Sequence, residues 1–569
     1  MPLDKSPEEA LAKGEFDIVW KILNALRAHD SRMDIFIEEI KLHGGKRSGN
    51  NPGDKIFVEN PDQISLQTLL NFDELKNLIY ARMVERVGNR RYWEQWAKDI
   101  AQIADRHIKR IKDIVVTDSE AKREFGNFVY NLQKNLNPSV TTAAAYDMLA
   151  QHLVTRPVFE SLFENYSFVK NNPVSKYLEN ILAILDRKNI ADDSEQLKKF
   201  YDSVRERCKI ATTAEDRQKI IIELYEKFFK TAAPLTVERL GIVYTPVEVV
   251  DFILHSVNDV LKKNFGKTLA DEGVNILDPF AGTGTFIVRL IQGGLIKDKK
   301  ALEHKYQNEL HANEIILLAY YIAAVNIENA FHDGVDAKSY QPFKGICFTD
   351  TFQAYEQNDY AKGQTDFKDF RDPMKENSER DEKQIKTRIE VIVGNPPYSV
   401  GQRSANENAQ NIFYPRLEHR ISETYAAKTN ATNKNSLYDS YIKAIRLSSD
   451  RISTGGVMGL VTNAGWLDGT AMDGLRKCFE EEFSEIYVFN LRGNQRTQGE
   501  TSRREGGKIF GSGSRAPIAI TILVKNPAHV GKAQIFYRDI GDYLTREDKL
   551  NRITITRSVN DEFQPLKPN

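Results

Sequence analysis

From about residue 236 onward, short apolar runs rich in β-branched residues alternate with stretches of helical periodicity. Strands separated by helices form a mostly parallel sheet that is covered on both faces. Ligands of such sheets bind at the carboxyl ends of the strands, so functional residues are expected directly after the apolar runs. The predicted strands are residues 274–277, 390–393, 456–461, 485–489 and 518–524.

The region before about residue 235 has a different sequence pattern, because apolar residues recur there at helical spacing. Stripes that begin at Phe16, Leu75 and Ile221 are interpreted as the core faces of helices. Residues 44–53, rich in glycine, are predicted to form a flexible loop. Within the second region, residues 353–388 carry many charges of both signs and are predicted to be a solvated insertion.

Composition and charge exclude several classes of protein. The chain has 569 residues and a formal net charge of −1, which excludes a wholly basic coat for nucleic acid but not a local basic surface. Cys208, Cys347 and Cys478 form no C-x-x-C pair, so a disulfide framework and a cysteine-rich zinc site are excluded. The longest apolar run, residues 315–325, is too short to span a bilayer. The amino terminus is acidic before any apolar stretch, so we expect a cytoplasmic protein without a secretory signal.

A strand–turn–helix motif spans residues 275–286. The apolar strand ends at Asp278, a turn of small residues follows as far as Gly284, and a helix begins near Phe286. Glycines allow the backbone to approach a ligand closely, and the start of the helix contributes a favourable dipole. The dinucleotide pattern G-x-G-x-x-G needs a third small residue where this chain has Ile287, so that interpretation is excluded.

A second motif, Gly394-Asn395-Pro396-Pro397-Tyr398, directly follows the predicted strand 390–393. Two prolines fix the backbone and cannot extend a β-ladder, so Asn395 and Tyr398 are held at the end of the strand. An amide oxygen and a backbone carbonyl at this place are able to accept two hydrogen bonds from one amino group. An aromatic ring is able to stack on the planar system that carries the amine.

Together the two motifs resemble those of S-adenosylmethionine-dependent methyltransferases that modify the amino group of adenine in DNA. Their order, with the cofactor loop first, is that of the gamma class. The resemblance implies an α/β fold, a Rossmann-like sheet with helices on both faces, preceded here by an all-α helical domain. It also implies S-adenosyl-L-methionine as cofactor, no metal, and duplex DNA with a flipped-out adenine as substrate.

The resemblance assigns catalysis to the tetrapeptide Asn395, Pro396, Pro397 and Tyr398. The Asn395 side chain and the Pro396 carbonyl would accept from the adenine amine, and Tyr398 would stack on the base. Catalysis of this kind is mainly orientation and electrostatic stabilisation.

The resemblance also assigns a set of cofactor-binding residues, in which Glu314 meets the ribose hydroxyls and Asp350 the adenine amine of the cofactor. The set consists of Tyr244, Thr245, Pro246, Asp278, Pro279, Ala281, Gly282, Thr283, Gly284, Glu314, Asp350 and Asn395. The local sequence further predicts that Thr245, Pro246 and Glu248 form a capping box at the start of a helix.

The helical region and the order of the motifs resemble the single-polypeptide Type I, or Type ISP, restriction–modification enzymes. The resemblance implies a helicase-tail-like helical segment over residues 1–118, a coupler over 119–235, the methyltransferase over 236–540 and the start of a target-recognition domain over 541–569. It implies as partners a target-recognition domain or subunit and the helicase and nuclease parts of the same system. Because the chain stops about where target recognition would begin, we expect weak DNA binding with little sequence preference.

A glycine-rich basic segment between residues 488 and 516 is predicted to contact DNA phosphates. Its cationic residues are Arg492, Arg496, Arg503, Arg504, Lys508 and Arg515.

Two other functions stay open. One is an amino-group methyltransferase with the same tetrapeptide that acts on protein glutamine or on RNA. The Tyr-Thr-Pro segment, the long spacing between Asp278 and Asn395 and the basic segment favour DNA instead. The other is a non-catalytic DNA-binding or coupling module, against which the intact Asp278, Asn395 and Tyr398 argue.

Overall fold

The computed structural model describes residues 45–47, 56–58, 90–162, 171–186, 245–335, 339–359, 364–365, 374–397, 412–452, 455–510, 516–561 and 563–566. The chain divides into two compact units, one of residues 1–96 and 193–220 and the other of residues 97–192 and 221–569.

In the described part of the first unit, Gly45–Arg47 (β1) pairs antiparallel with Ile56–Val58 (β2). Residues 45–47 therefore form a strand and not part of the predicted flexible loop. The predicted helical segment of residues 1–118 thus also contains β-structure. The pairing satisfies backbone N–H and C=O groups that, in the loop predicted from composition, would be hydrogen-bonded to water. The stripes at Phe16, Leu75 and Ile221 lie outside the described residues.

A nine-stranded mixed sheet forms the centre of the second unit. Its strands are β3 (Ile276–Asp278), β4 (Leu310–Glu314), β5 (Ile346–Phe348), β8 (Val391–Gly394), β9 (Gly456–Asn463), β10 (Glu485–Arg492), β11 (Ile518–Lys525), β12 (Gln534–Asp539) and β13 (Gln564–Leu566). A separate small ladder consists of β6 (Asn358–Asp359) and β7 (Gln364–Thr365). The order across the large sheet is β13-β12-β10-β11-β9-β8-β3-β4-β5.

Most pairings in this sheet are parallel, as predicted. The block β9-β8-β3-β4-β5 is parallel throughout, and β10 is parallel to β12. Only β11, inserted antiparallel between β9 and β10, and β13, antiparallel to β12, depart from this among the described strands. Every residue of β3, β4, β8 and β9 is buried. A strand that is buried along its whole length is covered on both faces, which confirms the predicted layering.

Helices connect the strands and cover the sheet. In chain order the α-helices are α1 (Arg90–Thr117), α2 (Ser119–Asn135), α3 (Thr142–Leu162), α4 (Pro173–Asp186), α5 (Val247–Phe265), α6 (Thr285–Gln292), α7 (Lys299–His304), α8 (Leu317–Val335), α9 (Thr351–Gln357), α10 (Lys375–Lys386), α11 (Pro415–Glu423), α12 (Tyr425–Lys428), α13 (Ser440–Arg451), α14 (Asp473–Glu482), α15 (Gly499–Glu505) and α16 (Arg546–Thr556). Helices α5 and α13 both pack against β9, and α8 packs against β4 and β5. Among the described residues, no helix is long and apolar enough to cross a membrane.

The helical region packs around aromatic side chains and contacts the sheet domain through α8. The rings of Phe125 on α2 and Tyr146 on α3 stack with centroids 4.2 Å apart. His152 on α3 is hydrogen-bonded through Nδ1 to the Tyr321 hydroxyl of α8 at 3.0 Å. The helical region therefore contacts the sheet domain through a buried hydrogen bond between polar side chains.

Helix α10 is a structural part of the sheet and not a solvated insertion. Asn377 on α10 is buried, accepts from the Phe348 backbone N–H at 2.9 Å and donates to the Phe348 carbonyl at 2.9 Å. The Asn377 amide thereby satisfies the Phe348 backbone groups at the open edge of β5, which composition could not reveal. The prediction for residues 353–388 is wrong over α10, because this helix buries one face, which includes Asn377 and the charged Asp381, and exposes most of its other charged residues.

The last described residues complete the same sheet domain. Helix α16 packs on α5, the Val559 N–H donates to Ser256 Oγ at 3.0 Å, and β13 is the edge strand beside β12. The ring of Phe563 lies 5.7 Å from that of Phe489 on β10. Residues 541–561 and 563–566 therefore pack on the sheet domain, and the assignment of residues 541–569 to the start of a target-recognition domain stays a prediction.

Candidate active site

The loop between β3 and α6 is built around two glycines in the left-handed conformation. Gly284 has φ +81°, and a Cβ placed there would lie 3.1 Å from the Ala323 Cα of α8. Gly282 has φ +55°, and no atom lies within 4 Å of the position of its Cβ. The Ala281 N–H donates to the Asn313 carbonyl at 2.9 Å, which attaches the loop to the end of β4. Gly284 is therefore required for packing, while Gly282 borders open space.

Asp278 ends β3 and is fully buried beneath this loop. Its Oδ1 accepts from the Phe280 N–H at 3.1 Å, and its Oδ2 has no hydrogen-bond partner among the described residues. Burial raises the pKa of Asp278 to about 8. A buried carboxyl oxygen without a partner is costly unless a ligand supplies a donor.

Glu314, at the end of β4, holds the loop from the other side. Its Oε2 accepts from the Gly282 N–H at 2.8 Å, and its Oε1 accepts from the Ile316 N–H at 2.8 Å. Burial raises the pKa of Glu314 to about 7. The end of β4 therefore lies next to the β3–α6 loop. There the Glu314 carboxyl group contacts Gly282, the glycine that borders the open space.

Asn395 follows β8 and is half-buried at the same edge of the sheet. A Cβ at the preceding Gly394 would lie 3.0 Å from Asp278 Oδ1, so the ends of β3 and β8 are in close contact. The Asn395 Nδ2 donates to the Thr245 Oγ1 at 2.9 Å. The structure thus brings together Asp278 of the first motif, Asn395 of the second motif and Thr245 of the predicted cofactor-binding set.

The predicted capping box at Thr245 is wrong. Helix α5 begins at Val247, its N-cap residue is Pro246, and the cap makes no side-chain hydrogen bond. The hydroxyl of Thr245 accepts from Asn395 instead, a contact that local sequence could not indicate.

Asp350 lies buried after β5, and both of its oxygens accept hydrogen bonds. The backbone N–H groups of Phe352 and Gln353 donate to Oδ1 at 2.9 and 3.3 Å. The Tyr414 hydroxyl donates to Oδ2 at 2.8 Å, and the Asn137 amide of the helical region donates to the same oxygen. That Asp350 accepts a hydrogen bond from the adenine of a cofactor stays a prediction. Such a hydrogen bond requires one of these donors to be replaced.

Sequence reasoning missed Asn137 and Tyr414. Asn137 lies between α2 and α3 and is only 3% exposed, although it lies 213 residues from Asp350 along the chain. Nothing in the sequence around it points to the site. Tyr414 packs with its ring centroid 5.2 Å from that of Phe352, and Phe352 lies 5.4 Å from Phe280 of the cofactor loop.

Several cations of the basic segment are already paired. Arg492 Nε donates to both oxygens of Asp539 at 2.8 and 3.0 Å, and Arg492 also pairs with Asp542. Arg504 pairs with the same Asp542 at 2.9 Å. Arg492 and Arg504 are therefore partly neutralised before any nucleic acid binds.

Three other cations of the segment, all among the described residues, are more available. Arg503 is 79% exposed and lies 3.7 Å from the exposed Glu500. Arg496 is exposed and Lys508 half-buried, and neither has a carboxylate partner among the described residues. Below the segment, the buried Lys549 donates to the carbonyls of Leu491, Glu505 and Gly507 at 2.7–2.9 Å and so holds its backbone in shape.

Tyr244, Tyr398 and Arg515 of the predicted site lie outside the described residues. Other predicted site residues lie beside Asn395 or are hydrogen-bonded to neighbouring parts of the protein. Pro396 is buried and Pro397 half-buried beside Asn395. The Pro279 carbonyl accepts from the Thr351 hydroxyl at 2.7 Å, and the Thr283 carbonyl accepts from Asn326 at 3.0 Å. Across the residues that the structure describes, no cluster of three His, Cys, Asp or Glu side chains is arranged to hold a metal.

Family models match two adjoining parts of the chain. Residues 92–216 match the coupler domain of Type ISP restriction-modification enzymes, and residues 216–467 match the N-6 DNA Methylase family. No curated protein matches the chain.

Solved structures extend this similarity over almost the whole chain. A nuclease-deletion mutant of the Type ISP restriction-modification enzyme LlaGI, in complex with a DNA substrate mimic, is 43% identical with a TM-score of 0.80, covering 97% of this chain and 42% of that chain. The ATP-dependent Type ISP restriction-modification enzyme LlaBIII bound to DNA has the same identity and TM-score, covering 97% of this chain and 36% of that chain. A DrdV–DNA complex is 32% identical with a TM-score of 0.76, covering 84% of this chain and 45% of that chain. This chain thus spans less than half of the length of each of these proteins.

Proposed function

The chain belongs to the Type ISP restriction–modification family through its coupler and N-6 DNA methylase domains, and from this premise we propose that it is an adenine-specific DNA methyltransferase. The reaction transfers a methyl group from S-adenosylmethionine to the exocyclic amine of an adenine in DNA, as the modification step of a restriction–modification system. The observation that supports it most directly is the meeting of Asp278, Asn395 and Thr245 at one sheet edge.

The residues around the β3–α6 loop fit S-adenosylmethionine. Asp278 offers a buried oxygen that lacks a donor, and Gly282 leaves open space beside the backbone. Glu314 adds a second carboxylate on the same loop. We assign these three residues to holding the cofactor, which when bound supplies a methyl group activated by a sulfonium.

The tetrapeptide would present the target amine. An adenine stacked in duplex DNA must be flipped out before any enzyme group can reach it. The Asn395 amide oxygen and the Pro396 carbonyl then accept its two N–H groups, which favours a tetrahedral nitrogen with an available lone pair. Tyr398 stacks on the flipped base and holds it in place.

DNA binding outside the pocket is assigned to the more available cations of the basic segment. Arg496, Arg503 and Lys508 suit phosphate contacts, whereas Arg492 and Arg504 also serve to fold the segment against Asp539 and Asp542. Sequence recognition requires contacts with base edges. We propose that a target-recognition domain or subunit supplies these contacts and that helicase and nuclease parts complete the system.

Radiolabel transfer tests the proposal. Incubation with tritiated S-adenosylmethionine and plasmid DNA, at high enzyme concentration, should label adenine in the DNA. Asn395→Ala should abolish transfer while calorimetry still detects cofactor binding. Tyr398→Phe should keep much of the activity because the stacking ring survives, and Tyr398→Ala should lose it.

The same assay separates the other functions. Label in a protein or RNA fraction, and not in DNA, would identify a different amino-group methyltransferase. Cofactor binding without transfer to any of the three, with the target-recognition partner supplied, would identify a non-catalytic coupling module.

A further inference from the structure

We infer that Thr245 is a positioning residue that orients the Asn395 amide for its substrate, an inference that rests on the proposed transfer to an amino group. The Asn395 Nδ2 donates to Thr245 Oγ1 at 2.9 Å, across 150 residues of chain. The resemblance of the surrounding segment assigns Thr245 to the methionine part of the cofactor. The hydrogen bond gives the side chain a different task.

Thr245 stands one residue before Pro246, the N-cap of α5, and does not cap the helix as the local sequence predicts. The backbone N–H groups of Val249 and Val250 donate to the Pro246 carbonyl, and the start of α5 has no side-chain cap. Departures from local rules concentrate at functional sites, and here the hydroxyl is directed to the predicted catalytic amide.

Both ends of this hydrogen bond are held by rigid elements. Thr245 is only 7% exposed and directly precedes α5, which packs against β8 and β9. Asn395 follows the fully buried β8, whose last residue lies against Asp278. The hydrogen bond runs from Asn395 Nδ2 to Thr245 Oγ1, and this direction leaves the amide oxygen turned away from Thr245.

The orientation decides the chemistry that Asn395 offers. The terminal torsion of an asparagine is broad, so an unanchored amide exchanges its oxygen and nitrogen by a half-turn. With Nδ2 on Thr245, the oxygen points away from it as an acceptor. A reversed amide would present N–H donors to an amine that is itself a donor, which would repel the substrate.

The test compares Thr245→Val, which removes the hydroxyl at nearly constant shape, with Thr245→Ser, which keeps it. Thr245→Val should lower the single-turnover rate of methyl transfer about 10- to 100-fold, the cost of misplacing a reacting group. Its affinity for S-adenosylmethionine should stay near that of the wild type, and Thr245→Ser should restore most of the rate. Thr155→Val is the matched control, because Thr155 is 8% exposed and its hydroxyl, among the described residues, donates within α3 to the Gln151 and His152 carbonyls. That control should leave the rate unchanged.

A second measurement does not depend on activity. Thermal unfolding of Thr245→Val, Asn395→Ala and the double variant forms a cycle in which the second substitution should cost little once the first is present. Additive losses of Tm would overturn the inference, and so would weakened cofactor binding with an intact transfer rate in Thr245→Val. A wild-type chain that transfers no label to DNA, with the target-recognition partner supplied, overturns the proposed function, while the unfolding cycle still decides the contact.

Discussion

At the scale of single residues, the two glycines of the cofactor loop are needed for different reasons. Gly284→Ala should destabilise the fold by about 2–4 kcal/mol, since a left-handed alanine costs roughly 1–2 kcal/mol and overpacking against Ala323 adds a similar amount. Gly282→Ala meets no neighbour and should cost roughly 1–2 kcal/mol of stability. We expect the main effect of Gly282→Ala to be weaker S-adenosylmethionine binding. Urea unfolding and calorimetry check the pair, and equal stability losses would contradict the assignment.

Asp278 should make stability fall as pH rises. Burial raises its pKa to about 8 in the folded state, whereas the unfolded carboxyl has an ordinary pKa near 3.8. The folded state therefore holds a proton that the unfolded state has released between about pH 4 and pH 8, and stability is lost as pH rises through this window. Asp278→Asn should raise Tm above that of the wild type by a margin that grows from pH 5 to pH 8 and then levels off.

Asp473 provides the opposite control for this pH series. The Thr429 hydroxyl, with further N–H donors, lowers the pKa of Asp473 to about 2, so its stabilisation is fully present above about pH 4 and is lost as pH falls through 2. Asp473→Asn should lower Tm by a constant margin between pH 5 and pH 8. A margin for Asp278→Asn that is equally independent of pH would show that Asp278 is charged throughout.

At the scale of elements, α16 tests where the sheet domain ends. Ile553 is fully buried on this helix and Ile555 is 78% exposed. Ile553→Ala should cost about 2–4 kcal/mol through loss of buried surface and the cavity left behind. Ile555→Ala on the same helix should change stability by less than about 0.5 kcal/mol. Denaturant unfolding measures both, and equal small effects would place residues 541–566 outside the core.

At the scale of the whole molecule, two buried asparagines join the helical region to the sheet domain. Asn137 donates to Asp350, and Asn172 donates to the Tyr320 hydroxyl of α8 at 3.1 Å. Each also accepts a backbone N–H through its amide oxygen, Asn137 from Ser139 at 2.8 Å and Asn172 from Val174 and Ser175. The two contacts are similar in kind, but only one of them reaches the candidate active site.

Asn137→Ala and Asn172→Ala should therefore separate stability from binding. Both should lose stability on the order of 1–3 kcal/mol, because each leaves a buried polar group with fewer partners. Only Asn137→Ala should also change S-adenosylmethionine affinity, because it removes a donor from Asp350. Calorimetry on the two folded variants decides this, and equal affinities would limit the Asn137–Asp350 contact to a structural role.

The local parts of the site could be predicted from the sequence. The strand that ends at Asp278, the glycine turn and the strand before Asn395 are each specified by about ten neighbouring residues, and all three are where they were predicted. The order of the strands along the chain also predicted a mostly parallel sheet. Such features depend on backbone propensities and on burial patterns that short segments carry by themselves.

Other features of the fold could not be predicted in this way. Helix α10 looks solvated by composition, because its few buried polar residues are recognised only when β5 lies beside them. Residues 541–561 and 563–566 give no sign of their packing on the sheet domain until β13 is seen to pair with β12. Charge content and chain order do not specify which edge of a sheet a segment will cover.

The sequence by itself therefore determined which elements form and which residues stand at their ends, including Asp278, Glu314 and Asn395. Only the tertiary structure decided what those residues touch. Thr245 accepts a hydrogen bond from Asn395, Asp350 accepts one from Asn137 of the helical region, and Arg492 donates to Asp539. The physical reason is that a polar side chain bonds whichever partner packing brings within about 3 Å, and packing is a property of the whole chain.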